Sequence, residues 1–252
     1  MIIDADCHIS SSRFDSLAMT ADDLVRQMDR NGVDKALVWL KPRYDKVIEA
    51  ENQAIFEAWQ KYPDRLLPFG WANPHHGKQA TSDTIKRCFE EYDFYGIKFN
   101  GAQDGYVIDD ADFAMPYIEA AAAYGKPIAF HIGSDFYENT HPYRLGRIAA
   151  RFPENQFIMI HMGGAAQPSL SRSAIETARE HANITIIGSA IPFLEVLQAI
   201  NTLGTQRICF GSDSPFKLMH AELAAYKALL RDVDEVSRAA VLGGNIAQLL
   251  GV

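Results

Sequence analysis

The sequence predicts an α/β protein with a single domain, a (β/α)8 TIM barrel that carries extra C-terminal helices. Short apolar runs alternate with helical segments along 252 residues, a length near that of one such barrel. The alternation recurs every 25 to 35 residues, roughly the length that parallel strands with crossover helices require. Polar residues stand at the ends of five of the runs, and only closure of the sheet would bring them together. We therefore expect one domain over residues 1–252.

Eight apolar runs have the composition of buried parallel strands, which are hydrophobic along nearly their whole length. They comprise residues 2–8, 33–40, 66–72, 95–99, 127–131, 156–161, 184–188 and 207–211. Because side chains alternate across a strand, Asp4, Asp6 and His8 are expected to share one face of the first run.

Helices are predicted between these runs from the spacing of their apolar residues. Thr20 and Asp23 have the spacing of an N-cap residue and its partner, and Gly32 stops the helix that follows. The predicted helices comprise residues 24–29, 45–62, 81–91, 112–124, 142–151, 169–181, 192–203 and 220–230. A tail over residues 236–250 is expected to add helices outside the barrel.

The composition restricts the class of partner. The chain has 48% hydrophobic residues, 22% charged residues and a formal net charge of -8. An acidic chain of this kind argues against nucleic acid and anionic membrane surfaces, which need a clustered basic field. We therefore expect a small-molecule substrate. A cytoplasmic protein is the default expectation, because no signal-type segment and no apolar stretch of roughly 18 residues is found in the sequence. Phosphate-binding, dinucleotide-binding and serine-hydrolase motifs are absent from the sequence.

Six residues at or just past the ends of the strand runs can bind a metal or carry a proton. They are Asp6, His8, Lys98, His131, His161 and Asp213. Imidazole and carboxylate groups suit Zn, Mn or Fe(II), and an open position on such an ion would lower the pKa of bound water. Asp6 and His8 would point into one barrel mouth, and His131 and Asp213 would complete the ligand set.

These residues resemble the amidohydrolase superfamily, in the branch that includes aminocarboxymuconate-semialdehyde decarboxylase and many small hydrolases. The resemblance spans nearly the whole chain. Its motifs are Asp6-Cys7-His8, Gly96-Ile97-Lys98, His131, His161-Met162-Gly163-Gly164 and Gly211-Ser212-Asp213-Ser214-Pro215-Phe216. It implies that Asp6, His8, His131 and Asp213 bind one metal ion. It also implies that His161 is the acid-base residue and that Asp213 is a second proton carrier. Barrels of this branch often pair into dimers, so a homodimer is one expectation.

The chain departs from this family at Asp6, where the commoner motif has histidine. A carboxylate oxygen is harder than imidazole and adds negative charge, which favours Mn or Mg somewhat relative to Zn. Zinc is the first expectation for the divalent ion, with manganese or iron as alternatives. A metal-free site that uses Asp213 and the histidines alone is a further alternative.

Substrate binding is expected to involve an anionic group. Lys98 would hold a substrate oxyanion or carboxylate, with an ion pair that serves only the structure as a slightly less favoured alternative. Loops after the strands carry Arg13, Lys41, Arg43 and Lys217, a local excess of positive charge in an acidic chain. Arg13, Arg43 and the ring of Tyr137 are the further candidates for substrate contacts.

The favoured function is a metal-dependent hydrolase that acts on a small carboxylated amide, lactone or ester. Metal-activated water would attack the carbonyl after His161 or Asp213 removes its proton. The first alternative is a metal-dependent non-oxidative decarboxylase of an unsaturated or aromatic carboxylic acid, with the same ligands. The second is a barrel that has lost catalysis and only binds a ligand.

Overall fold

The structure is a computed structural model that describes residues 1–11, 17–42, 47–133, 136–164 and 168–252. Its sheet contains eight parallel strands in the order β1 to β8 within this part of the chain. They are β1 (Ile3–Ile9), β2 (Lys35–Leu40), β3 (Leu66–Trp71), β4 (Gly96–Phe99), β5 (Ile128–His131), β6 (Phe157–Ile160), β7 (Ile184–Ile187) and β8 (Ile208–Cys209). The predicted α/β barrel is confirmed.

Hydrogen bonds between β1 and the segment around β8 close the barrel. The Ala5 amide donates to the Phe210 carbonyl at 3.0 Å, and the His8 amide donates to the Ser214 carbonyl at 2.7 Å. A parallel bridge between Cys7 and Ser214 lies between these two bonds. Closure therefore brings the start of the chain beside its last strand, and with it the residues that follow each strand.

Helices surround the barrel as predicted. They are α1 (Ala21–Asn31), α2 (Ile48–Lys61), α3 (Lys78–Lys86), α4 (Gly101–Asp104), α5 (Met115–Ala122), α6 (Pro142–Arg151), α7 (Pro168–Glu180), α8 (Phe193–Leu203), α9 (Met219–Leu229), α10 (Glu235–Ala239) and α11 (Asn245–Leu250). The Thr20 side chain and Asp23 form the predicted capping box at the start of α1. The last two helices are the expected C-terminal additions. Among the described residues, none of the helices has both the length and the apolar character needed to cross a membrane.

The buried apolar side chains form two clusters on opposite sides of the barrel wall. The inner cluster fills the barrel and includes Ile3, Ala5, Leu37, Trp39, Leu67, Phe69, Ala129, Ile158, Ile160, Ile187 and Cys209. The outer cluster lies between the strands and the helices, and includes Cys7, Val38, Ile97, Phe130 and Met159. An apolar floor therefore fills the barrel interior below the predicted site.

An irregularity in β1 overturns one prediction about its faces. Asp4 pairs with Ala36 and Cys7 with Val38, so β1 has one residue more than β2 over this stretch. Ala5 belongs to the inner cluster and Cys7 to the outer one. The extra residue, a β-bulge, breaks the strict alternation of sides. The prediction that Asp4 shares a face with Asp6 and His8 is wrong for Asp4, which lies on the outer side.

Candidate active site

The six predicted site residues meet at the carboxyl ends of the strands, where all of them are buried. His8 Nε2 lies 3.6 Å from Asp6 Oδ1 and 3.5 Å from Asp213 Oδ1. Ligand atoms of Asp6, His161 and Asp213 all lie within 4.8 Å of one another. The site therefore combines residues from three parts of the chain: β1, the end of β6 and the segment after β8.

The hydrogen bonds of His8 determine which of its ring nitrogens faces this point. Nδ1 lies 2.8 Å from the Leu40 carbonyl oxygen, which can only accept, so Nδ1 carries the proton. Nε2 therefore has the lone pair, which accepts a hydrogen bond from the Trp39 indole at 3.1 Å; the same N–H also donates to Asp6 Oδ1 at 3.0 Å. Burial, together with the charge of Lys98, lowers the pKa of His8 to about 3. A neutral imidazole in this orientation is the form that binds metals.

His131 presents a second neutral imidazole. Its ring packs edge-on against the His161 ring, with 4.8 Å between the centroids. Its Nε2 is buried and has no hydrogen-bond partner among the described residues. Burial, and then the neighbouring basic groups of His161, Lys98 and His8, hold the pKa of His131 well below its ordinary value. A buried nitrogen without a partner fits a ligand position, because leaving it unpaired would cost free energy.

The pKa values of the two carboxylates of the site are shifted in opposite directions. Burial and the charge of Asp6 raise the pKa of Asp213 to about 7. Burial by itself would also raise the pKa of Asp6, but nearby basic groups and a hydrogen bond from Ser189 lower it on balance. Asp213 has a left-handed backbone with φ of 58°, a conformation that non-glycine residues seldom adopt outside functional sites.

Lys98 lies between two indole rings. Its Nζ is 4.0 Å from the centroid of Trp39 and 5.0 Å from that of Trp71. The ammonium has no hydrogen-bond partner in the described part of the chain. Burial lowers the pKa of Lys98 to about 8, although the charges of Asp6, Asp213 and Asp104 oppose the change. The structure therefore shows no direct ion pair for Lys98 among these residues, unlike the structural alternative.

The other predicted substrate contacts are only partly described. Tyr137 lies in a short helical turn after β5, and 37% of it is exposed. Arg13 and Arg43 lie outside the described residues. Of the two remaining loop lysines, Lys41 is buried and Lys217 is exposed.

Two glycines allow the site segments to approach closely. A Cβ on Gly211 would lie 2.6 Å from Ile187 Cγ2 and 2.9 Å from Asp6 Cβ. A Cβ on Gly133, which follows β5, would lie 1.7 Å from the carbonyl oxygen of Gly163. Backbone or side-chain groups of the ligand-bearing segments occupy the space that larger residues would need.

Sequence reasoning missed Ser189, which follows β7. Its hydroxyl donates to Asp6 Oδ2, and its oxygen lies 2.9 Å from His161 Nδ1. A serine after an apolar strand is a weak signal. Its position in the seventh unit, at the same edge as the other site residues, could have identified it. The indole N–H of Trp39, which was not among the predicted site residues, also contacts both Asp6 and His8.

Comparisons with known proteins agree with this geometry. A family model described as Amidohydrolase matches residues 3–252. A curated relative, 2-amino-3-carboxymuconate-6-semialdehyde decarboxylase from Dictyostelium discoideum, is 22% identical over 284 residues, covering 94% of this chain and 78% of that protein. The crystal structure of 5-carboxyvanillate decarboxylase from Sphingomonas paucimobilis has a TM-score of 0.79 at 17% identity, with 100% of this chain and 99% of that chain covered.

A dihydroxybenzoic acid decarboxylase from Polaromonas sp. JS666, solved with bound manganese and the inhibitor 2-nitroresorcinol, has a TM-score of 0.80 at 20% identity. The match covers 99% of this chain and 96% of that chain. These likenesses confirm the barrel and the predicted family branch. They also contradict the favoured function, because these relatives are decarboxylases. The hydrolase prediction is wrong for a chemical reason: the same ligands and proton carrier serve both reactions, so the motifs alone do not separate them.

Proposed function

The chain belongs to the amidohydrolase family, and we propose that it is a metal-dependent, non-oxidative decarboxylase of an aromatic or unsaturated carboxylic acid. One observation carries the proposal: the unpaired ammonium of Lys98 is buried near the cluster of Asp6, His161 and Asp213. A site with these groups can hold a carboxylated substrate beside a metal ion and a proton carrier. The decarboxylases to which the chain is similar support the reaction class.

The proposed metal ligands are Asp6, His8, His131 and Asp213. Their donor set fits a divalent ion, since it combines two carboxylates with the unprotonated Nε2 of His8 and a buried, unpartnered nitrogen on His131. When bound, the ion supplies a Lewis acid that orients substrate oxygens and withdraws electron density. Zinc was the first expectation, and the manganese in the Polaromonas relative makes manganese an equal candidate.

His161 is the proposed proton donor. Its Nδ1 lies 3.7 Å from Asp6 Oδ2, but that nitrogen already has Ser189 as a hydrogen-bond partner. This arrangement favours proton transfer over ligation through Nδ1. The imidazolium gives a proton to the substrate carbon that bears the carboxylate. A π electron pair of the substrate forms the new C–H bond. The bond to the carboxylate then breaks, its electron pair restores the π system, CO2 leaves, and His161 takes a new proton from solvent.

Lys98 is the proposed anchor for an anionic oxygen of the substrate. The indole faces of Trp39 and Trp71 stabilise its charge without neutralising it. Because Lys98 is fully buried, an anionic group that reached it would bind in a medium with little water. That environment favours a carboxylate or phenolate over a neutral ester or amide.

A direct assay tests the proposed reaction. Protein loaded with manganese or zinc is incubated with carboxylated phenols and muconate-like acids, and CO2 release is measured. We expect release from at least one carboxylic acid, and none from protein stripped of metal. Hydrolysis of lactones or amides without CO2 release from any acid would contradict the proposal.

Two variants separate metal binding from proton transfer. His131→Ala should lose bound metal, measured by elemental analysis, whereas His161→Asn should keep the metal and lose about 100-fold or more in kcat. Loss of the metal from His161→Asn would show that His161 is a ligand instead.

A further inference from the structure

Ser189 lies between two groups of the proposed site that come from different strands. It follows β7 and is fully buried. Its hydroxyl donates to Oδ2 of Asp6, which lies on β1. Its oxygen is 2.9 Å from Nδ1 of His161, which follows β6. One serine side chain thus joins the proposed ligand to the proposed proton donor.

The number of protons determines the direction of these bonds. A hydroxyl has one proton, and an ionised carboxylate can only accept, so the proton of Ser189 goes to Asp6. The Ser189 oxygen must then accept from His161, which means that Nδ1 of His161 carries a proton. The Ser189 carbonyl oxygen, 3.2 Å from the same nitrogen, can also only accept. In the neutral ring Nε2 therefore has the lone pair.

The backbone around these residues supports a fixed arrangement. His161 has φ of 67° and Ala190, next to Ser189, has φ of 54°, both in the left-handed region. Such conformations persist where surrounding contacts determine them. The His161 ring also packs against His131, so two sides of the ring are constrained.

We propose that Ser189 is a positioning residue for the proposed decarboxylation: its hydroxyl holds His161 with Nδ1 protonated and Nε2 directed to the substrate. This inference rests on the proposed function for the role of His161. The same hydroxyl connects the imidazolium that forms in each turnover to the negative charge of Asp6. Ser189 itself exchanges no proton with the substrate.

The first test is spectroscopic and does not depend on turnover. In metal-free protein labelled with ¹⁵N-histidine, the His161 signals are assigned by their absence in His161→Asn. We expect the proton on Nδ1 in the native protein and a mixture of the two tautomers in Ser189→Ala. A proton on Nε2 in the native protein would overturn the proposal. So would an unchanged tautomer in Ser189→Ala, since the Ser189 carbonyl alone would then suffice.

The second test is kinetic and uses the metal-loaded enzyme. Ser189→Ala should lower kcat about 10- to 100-fold, as loss of a partner that orients a site residue commonly does, with KM changed less than about 3-fold. Ser189→Thr, which keeps the hydroxyl, should recover most of kcat. Ser171→Ala is the matched control, because it removes a buried hydroxyl on α7 that has no partner among the described residues. Native kcat in Ser189→Ala, or equal losses in the Ala and Thr variants, would overturn the proposal.

The two tests keep the inference separate from the proposed function. If the native enzyme releases no CO2 from any acid, the decarboxylase proposal fails. The tautomer measurement still decides whether Ser189 orients His161.

Discussion

Strand β1 carries two buried carboxylates, Asp4 on the outer side of the barrel wall and Asp6 on the inner side. Both are fully buried, and burial by itself raises the pKa of each. On the outer side this effect prevails, and the pKa of Asp4 rises to about 7 although Ser212 donates hydrogen bonds to it. On the inner side three basic residues oppose the effect of burial, and the pKa of Asp6 falls below its ordinary value. These are His161, Lys98 and His8.

The comparison shows what the barrel contributes to the site. A buried carboxylate becomes neutral unless positive groups lie close to it. The basic groups near Asp6 come from β4, from the end of β6 and from β1 itself, so only barrel closure gathers them. An ionised carboxylate is the form that binds a metal ion. The inner side is therefore suited to chemistry, whereas Asp4 on the outer side joins backbone segments by accepting from the amides of Ser212 and Asp6.

The largest difference between the two sides should appear in turnover. We expect Asp6→Asn to lower the decarboxylation rate by at least about 10³-fold, since a lost ligand charge costs several kcal/mol. Asp4→Asn keeps the accepting oxygen and should stay within about 3-fold of the native rate. Initial rates and metal content of both variants check this. Equal losses in the two variants would show that the sides do not differ in function.

The next effect is a pH dependence of stability that belongs to the outer side. Asp4 has a pKa of about 7 in the folded protein against an ordinary value of 3.8. Between pH 3.8 and pH 7 the folded state binds more protons at Asp4 than the unfolded state does. The favourable contribution of neutral Asp4 to the free energy of unfolding is therefore lost as pH rises through 7. In the Asp4→Asn variant the asparagine side chain stays neutral over this whole pH range. In metal-free protein, Asp4→Asn should therefore gain stability relative to the native chain between pH 4 and pH 7, by up to about 4 kcal/mol.

Urea unfolding of the metal-free native and Asp4→Asn proteins at pH 4 and at pH 8 measures this gain. A difference in the free energy of unfolding that is the same at both pH values would contradict it.

The smallest effect concerns the glycines of the wall. A Cβ on Gly211 would lie 2.9 Å from Asp6 Cβ, whereas one on Gly188 would lie 2.3 Å from the Tyr226 hydroxyl on the outer side. Gly211→Ala and Gly188→Ala should each cost about 1–3 kcal/mol, because both sites are crowded. Only Gly211→Ala should also weaken metal binding, by about 10-fold, since it displaces Asp6. Thermal unfolding and metal titration of the Gly211→Ala and Gly188→Ala variants measure these effects. Equal metal affinities in the two variants would show that Gly211 does not support Asp6 on the inner side.

Local sequence pattern was enough to predict the strands and the polar residues at their ends. The predicted strand over residues 184–188 differs from β7 by one residue, because an apolar run with a glycine after it is a local signal. β8 is shorter than the predicted residues 207–211. The reason is not local: the carbonyl of Phe210 accepts from Ala5 and its amide donates to Val241, so this segment bonds to β1 and to the C-terminal region.

The fold, the family and the polar side chains at the strand ends follow from the sequence, because each depends on short-range periodicity and on motifs of adjacent residues. The folded structure was needed to show that a bulge separates Asp4 from Asp6, that Lys98 lies between two indoles, and that Ser189 joins His161 to Asp6. These features depend on contacts between residues far apart in the chain. Such contacts exist only once the strands have closed into a barrel.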